Sequence, residues 1–368
     1  MSADSDRALA VLRRHGHHST SFQILEDGLR YWFGDDAVVA YLQVGRRRVV
    51  AGPPVCAPDQ KGAVARAFLE DCGAARHRAL FFCTDPDFAQ VLARAGAPAS
   101  WVQIGEQPEW VPAGYTLAGS VRRSLRAQVN RARNKGVEVG RVTPADLQGP
   151  VRGEIDAVLR RWLDARRMSV MRFMVDLQPF AHADERRYYL ARHAGRAVGF
   201  LAAVPVYRRR GWFLEDVLRV PDAPNGTAEM LIERALADAH AAGDEFVTLG
   251  LAPLSGVDTA PGPHLWLRRC FRFSWEHLRP LYDFSGIRNF KARFRPDRWT
   301  AQYLVVSPPG IGFWDMHAVL RAFAGRGLAG FALDTAARWI RRGGIPVWVV
   351  GGLLVLATVL VWLVAVRG

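Results

Sequence analysis

A short stretch, Leu281–Trp299, reads LYDFSGIRNFKARFRPDRW and sets Arg288, Lys291, Arg293, Arg295 and Arg298 among aromatic residues. Cations interleaved with rings suit a site for anionic groups: the charges can meet phosphates or a developing oxyanion. Lys291 stands out. Of 49 Lys+Arg residues, only Lys61, Lys135 and Lys291 are lysines. A compact, strongly hydrated ammonium is not interchangeable with the planar guanidinium used almost everywhere else. The plainer account is a lysine that escaped a drift toward arginine.

A second candidate lies upstream. Leu214–Arg219 (LEDVLR) ends an apolar run with Asp216 and Arg219 three apart. The following loop leads to Asn225, Gly226 and Thr227 at the start of a helical pattern. Free backbone N–H groups and the helix dipole favour an anion there, so the segment reads as a phosphate or carboxylate cradle. Asp216 with Arg219 reads equally as a structural ion pair. Thr248–Gly256 leaves a buried strand through Gly250 and Pro253, a loop that can line a pocket. The sequence holds no P-loop, no serine-hydrolase elbow and no H-E-x-x-H motif, and none of its histidine pairs has metal-ligand spacing in a suitable context.

The elements that must carry these residues are mixed α/β. Apolar periodicity predicts helices over 21–33, 62–73, 86–95, 155–164 and 227–242. Alternating or continuous apolar runs predict strands over 37–44, 48–51, 79–83, 101–104, 187–192, 197–206, 211–217, 246–251 and 301–306. The second half repeats the order of the first, which implies two copies of one α/β fold, at 21–145 and 146–307. Residues 121–135 form a basic helix with Arg122, Arg123, Arg126, Arg131, Arg133 and Lys135 and no acid. Such a run is either a solvated face or a surface that meets phosphates.

The formal net charge of +14 points to polyanionic partners, nucleic acid or a phospholipid surface. Cys56, Cys72, Cys83 and Cys270 form no C-x-x-C pair and read as reduced thiols of a cytosolic compartment. Residues 1–20 are polar and read as a flexible N-terminus without an apolar signal segment. Residues 345–366 hold no charged side chain. As a helix they would be about 33 Å long, enough to cross the hydrocarbon core. Trp348 and Trp362 lie near the two ends, and Arg338, Arg341 and Arg342 precede the run. The expectation is one C-terminal membrane helix after a helical linker at 308–344. The large part before it would lie on the cytoplasmic side of the membrane.

Taken together, Asp216-x-x-Arg219, Asn225-Gly-Thr227, Leu249-Gly-Leu-Ala-Pro-Leu254 and Tyr282-x-Phe-x-Gly-x-Arg-x-Phe-Lys-x-Arg-Phe294 resemble a known family. Pro296, Trp299, Tyr303, Trp162 and Met171–Met174 fit the same pattern. It is the soluble synthase domain of bacterial phosphatidylglycerol lysyltransferases and alanyltransferases, and the resemblance spans roughly residues 20–306. It implies a tandem acetyltransferase-like (GNAT) fold, similar to the Fem transferases of peptidoglycan synthesis. It implies transfer of an aminoacyl group from aminoacyl-tRNA to a hydroxyl of an anionic phospholipid, beside the bilayer and without cofactor or metal. By motif match, Asp216, Arg219 and Lys291 are catalytic. The resemblance also implies that Arg293, Asn225, Gly226, Thr227, Gly250, Pro253, Tyr282 and Arg288 bind substrate. Two other classes stay open: a CoA-dependent N-acyltransferase, which wants a pyrophosphate loop, and a non-catalytic, membrane-tethered binding protein.

Overall fold

The computed structural model describes residues 3–166, 171–257 and 284–325, together with 327, 330, 331, 333–335 and 338. One mixed sheet runs through it in the order β1-β2-β3-β4-β12-β5-β10-β9-β8-β7-β6. Its strands are β1 (Arg30–Phe33), β2 (Val38–Val44), β3 (Arg47–Ala51), β4 (Arg78–Thr84), β5 (Ser100–Trp110) and β6 (Val137–Val142). They continue as β7 (Arg187–His193), β8 (Arg196–Val206), β9 (Gly211–Arg219), β10 (Phe246–Thr248), β11 (Ala252–Pro253) and β12 (Arg298–Ser307). The short β11 pairs with β5 off the main path.

Each half follows the same path. Antiparallel strands lead to a helical crossover that returns the chain parallel to the strand it left. In the first half α2 (Lys61–Ala74) joins β3 to β4. In the second α6 (Thr227–Ala241) joins β9 to β10. The halves then exchange strands. β5, from the first half, pairs with β10, and β12, from the second, pairs with β4. β5 and β12 also pair with each other along nearly their whole length. Strand pairings therefore cross the boundary expected between residues 145 and 146: β6 pairs with β7, β5 with β10 and β12, and β12 with β4.

Helices cover both faces. α2 and α3 (Phe88–Arg94) bury Ala65, Phe68, Phe88 and Leu92 against Val39, Val50 and Phe81. On the opposite face, α1 (Ala3–His15), a 3-10 turn (Ser19–Leu25) and the last described helix pack on Val38, Ala40, Val49 and Leu80. The second half buries α4 (Arg123–Asn134), α5 (Pro150–Ala165) and α6 against Tyr188, Phe200, Leu201 and Leu218. α7 (Phe284–Ala292) precedes β12, and α8 (Phe313–Ala324) follows it.

Several expected elements change. Residues 3–20 are not a loose terminus: Ala8, Val11 and Leu12 form a helical stripe that is 0–4% exposed. The helix expected over 21–33 breaks at Gly28, whose φ is 87°, and its second part becomes β1. β6 follows the basic helix unannounced and buries Val137 and Val142. The linker expected at 308–344 begins instead with α8, which buries Ala318 and Ala322 on the first half of the sheet. No helix among the described residues is long and apolar enough to cross a membrane, and residues 345–366 lie outside the described set.

Candidate functional site

β9 carries a bulge. Ala202 faces Asp216 and Ala203 faces Leu214, so Glu215 is the extra residue. A bulge breaks side-chain alternation and re-aims its residues. Here it sets two consecutive carboxylates beside a third, Glu26, which ends the Ser19–Leu25 turn. That turn is pinned by His18, whose ring bonds Thr20 Oγ1 at 2.7 Å and Gln302 Oε1 at 3.1 Å. Gln23 Nε2 donates to Glu215 Oε1 at 2.7 Å, and Arg186 Nη1 donates to Glu215 Oε2 at 2.5 Å. The Met174 N–H donates to Glu26 Oε2 at 2.7 Å. Gln23, Glu26, Asp176, Arg186 and Glu215 line one small cleft.

The electrostatics are lopsided. Glu215 and Asp216 share the guanidinium of Arg186, while Glu26 lies in the field of three other acids, Glu215, Asp176 and Asp216. Burial, reinforced by Glu215, raises Glu26 and Asp216 well above the usual carboxylate range. Asp216 Oδ2, Glu26 Oε1 and Gln23 Oε1 are sealed from solvent with no hydrogen-bond partner among the described residues. Buried acceptors left without donors are costly, and a donor that arrives with a ligand would satisfy them. An ammonium is the complementary group.

Lys291 does other work. Its ammonium donates to the carbonyls of Leu249 at 2.7 Å, Gly250 at 2.9 Å and Leu251 at 2.8 Å. Lys291 thus pins the bend where the chain leaves β10, and its donors face main chain instead of an open cavity. This is why the strand expected over 246–251 stops at Thr248: Gly250, at φ 67°, turns against the Phe213 ring under that clamp. Burial pushes the ammonium down to about 7.

The remaining sequence candidates scatter. Arg219 is exposed at the end of β9, beside Gly199, which packs on Thr227. Arg293, also exposed, pairs with Glu229 in the first turn of α6 at 3.5 Å. These two cations border the N-terminal end of that helix. The end itself is not an open cradle. Gly226 and Thr227 are buried, Thr227 Oγ1 donates to the Pro224 carbonyl at 2.6 Å, and a β-carbon on Gly226 would overlap the Gln128 carbonyl of α4. The basic helix lies across the cradle; only Asn225 remains exposed. Pro253 belongs to β11 and pairs with Gly105. Arg288 meets Glu106 at 3.5 Å and stacks over Trp299. Tyr282 lies outside the described residues. Among the described residues no hydrogen bond or ion pair joins Asp216, Arg219 and Lys291 to one another. Glu26, Gln23, Arg186 and Glu215 were missed as candidates, although the paired acids of Leu214–Arg219 were a visible signal.

A two-lobed mixed α/β protein with a sealed acidic cleft, cations at one helix end and a lysine-clamped loop is thus defined. The chain belongs to the family described as phosphatidylglycerol lysyltransferase, C-terminal, whose model matches residues 9–306. It is 25% identical over 305 residues to the phosphatidylglycerol lysyltransferase of Bacillus subtilis (strain 168), covering 82% of this chain and 35% of that protein. It is 26% identical over 224 residues to the lysylphosphatidylglycerol biosynthesis bifunctional protein LysX of Mycolicibacterium gilvum (strain PYR-GCK), covering 58% of this chain and 19% of that one. The chain therefore spans about a third or less of these relatives' lengths. Its fold matches L-PGS from Bacillus licheniformis with a TM-score of 0.71 at 21% identity, over 86% of this chain and 96% of that one. The C-terminal DUF2156 domain of an Agrobacterium fabrum protein matches at 0.73 and 22%, over 86% and 95%.

Proposed function

We propose that this chain moves an aminoacyl group from aminoacyl-tRNA to a hydroxyl of an anionic phospholipid such as phosphatidylglycerol, and that the group is lysyl. The tandem acetyltransferase-like reading agrees with the repeated crossover of the two halves. The observation that carries the function is the set of sealed, unpartnered oxygens on Asp216, Glu26 and Gln23 beside a surplus of carboxylates. A lysyl ester brings two ammonium groups, and they would supply the donors this cleft lacks.

The chemistry is a transesterification. The lipid hydroxyl oxygen attacks the ester carbonyl, a new ester bond forms, and the bond to the ribose oxygen of tRNA breaks. The proton of the hydroxyl ends on that ribose oxygen. Nothing is oxidised or reduced. The site must align hydroxyl and carbonyl and hold the phosphates on either side. Asp216 and Glu26 receive the aminoacyl ammonium, and Arg219 and Arg293 meet phosphate. Lys291 is a positioning residue that keeps the Leu249–Leu251 main chain bent beside β9. The basic face of α4 is the surface offered to tRNA.

A CoA-dependent acyltransferase is disfavoured by the cover over Gly226 and Thr227. A pyrophosphate would need the N–H groups that α4 packs against. We place the protein at the cytoplasmic membrane, held by residues 345–366 with its catalytic part in the cytoplasm. Loss of high-salt-resistant membrane attachment on truncation after Arg342 would support that placement, and retention would refute it. The function is tested with purified full chain, phosphatidylglycerol vesicles and radiolabelled lysyl-tRNA, alanyl-tRNA or acetyl-CoA. Label from lysyl-tRNA should enter the lipid. Consumption of acetyl-CoA, or binding of lysyl-tRNA without turnover, would overturn the reading.

A further inference from the structure

Helix α8 carries apolar residues on its outward side as well as its inward one. Its sheet-facing side carries Asp315, Ala318, Val319 and Ala322, and the buried Asp315 is held by Arg47 at 2.7 Å and Arg78 at 3.4 Å. Its outward side carries Phe313, Trp314, His317, Leu320 and Arg321. Trp314 is 61% exposed and Leu320 58%. A surface helix ordinarily turns charged and polar residues to water. Here the outward rings are organised among themselves: Trp314 meets Phe313 at 5.3 Å and His317 at 5.6 Å, edge to face.

We propose that α8 lies flat on an anionic bilayer, with Trp314 and Leu320 seated at the boundary between headgroups and acyl chains. The side-chain chemistry fits: Trp and Phe prefer that boundary, and Arg321 on the same face reaches lipid phosphate. The surroundings add charge of the right sign. Arg46 and Arg76 are exposed in the turns that lead directly into Arg47 and Arg78, the two residues gripping Asp315. The chain beyond α8 points the same way: the uncharged run at 345–366 begins roughly 20 residues later, at most about 70 Å of extended chain. A second copy of the chain is the weaker occupant. One face of a 12-residue helix is about 18 Å long and about 10 Å wide, far short of the roughly 800 Å² per partner of a stable interface. The proposal goes beyond the transfer reaction and stands independently of it.

The test uses full chain with Cys270→Ser, leaving only the buried Cys56, Cys72 and Cys83. Leu320→Cys is labelled with an NBD fluorophore and reconstituted into phosphatidylglycerol–phosphatidylcholine vesicles containing lipid with a shallow acyl-chain nitroxide. Glu70→Cys, on α2 across the sheet and with a side chain 69% exposed, is the matched control. Nitroxide quenching at position 320 should exceed that at position 70 by at least about threefold. Equal quenching at the two positions would overturn the proposal. So would a label at 320 that is shielded from aqueous iodide yet not quenched by the lipid, because another protein surface would then cover α8.

Discussion

Lys291→Met keeps the length of the side chain and removes every donor from the clamp on Leu249, Gly250 and Leu251. A fall from the ordinary lysine value of 10.5 to about 7 corresponds to about 5 kcal/mol net against the charged form, so the three contacts do not outweigh burial. Lys291→Met removes the buried charge together with its contacts, so the stability of the whole molecule should change little. The effect concentrates locally, where three main-chain carbonyls lose their donors. Hydrogen exchange followed by mass spectrometry over residues 246–257 should therefore quicken at least tenfold. Thermal unfolding should move by only a few degrees, and lipid aminoacylation should fall by at least tenfold. Lys291→Arg should resemble Lys291→Met, because a planar fork does not converge on the three acceptors. Unchanged exchange over 246–257 in Lys291→Met would refute the clamp. The pH response separates stability from activity. Between pH 7 and 10.5 the unfolded chain holds this proton more tightly than the folded one, so stability should rise with pH relative to Lys291→Met. Activity should decline over the same range as the clamp loses a donor.

Asp216→Asn should abolish transfer yet raise the melting temperature at pH 7, because it removes a buried carboxylate whose folded pKa is raised. That gain should shrink as pH falls toward the ordinary aspartate value and vanish below it, where folded and unfolded chains are both protonated. Glu109→Gln should cost about 3 kcal/mol, measured by urea unfolding, because Glu109 holds Arg209 and Arg298 across the two halves. The native Glu109, drawn down to about 2 by those arginines against its burial, should lose its contribution between pH 4.5 and 2, and the variant should show no such loss. Gly226→Ala should destabilise by more than about 2 kcal/mol in the same assay, since φ is 96° and α4 lies directly above.

What the sequence showed and what it hid divide along contact range. The strands β7, β8 and β9 and the crossover helix α6 were legible because alternation, turns and caps are local signals. Lys291 was legible as an anomaly of composition. Its partners were not, because main-chain carbonyls have no sequence signature. Asp216 was singled out, but Glu26 hid inside a segment that read as helix until Gly28 broke it. The cradle at Asn225–Thr227 was correctly read as a helix start. It closes only because α4, about a hundred residues earlier, lies over it. No local pattern announces the strand exchange, since β5 and β12 look like ordinary members of their own halves.

That exchange sets a clock on the ribosome. β4 is complete at Thr84, but its neighbour β12 ends at Ser307. At about 5–20 residues per second, the edge of β4 waits some 10–40 s for its partner to be translated. β5 waits as well, with Val102 and Ile104 ready to pair. Unpaired apolar strand edges left open for that long invite pairing with other chains. A stop codon placed between 257 and 298 should therefore yield aggregate in place of a soluble lobe.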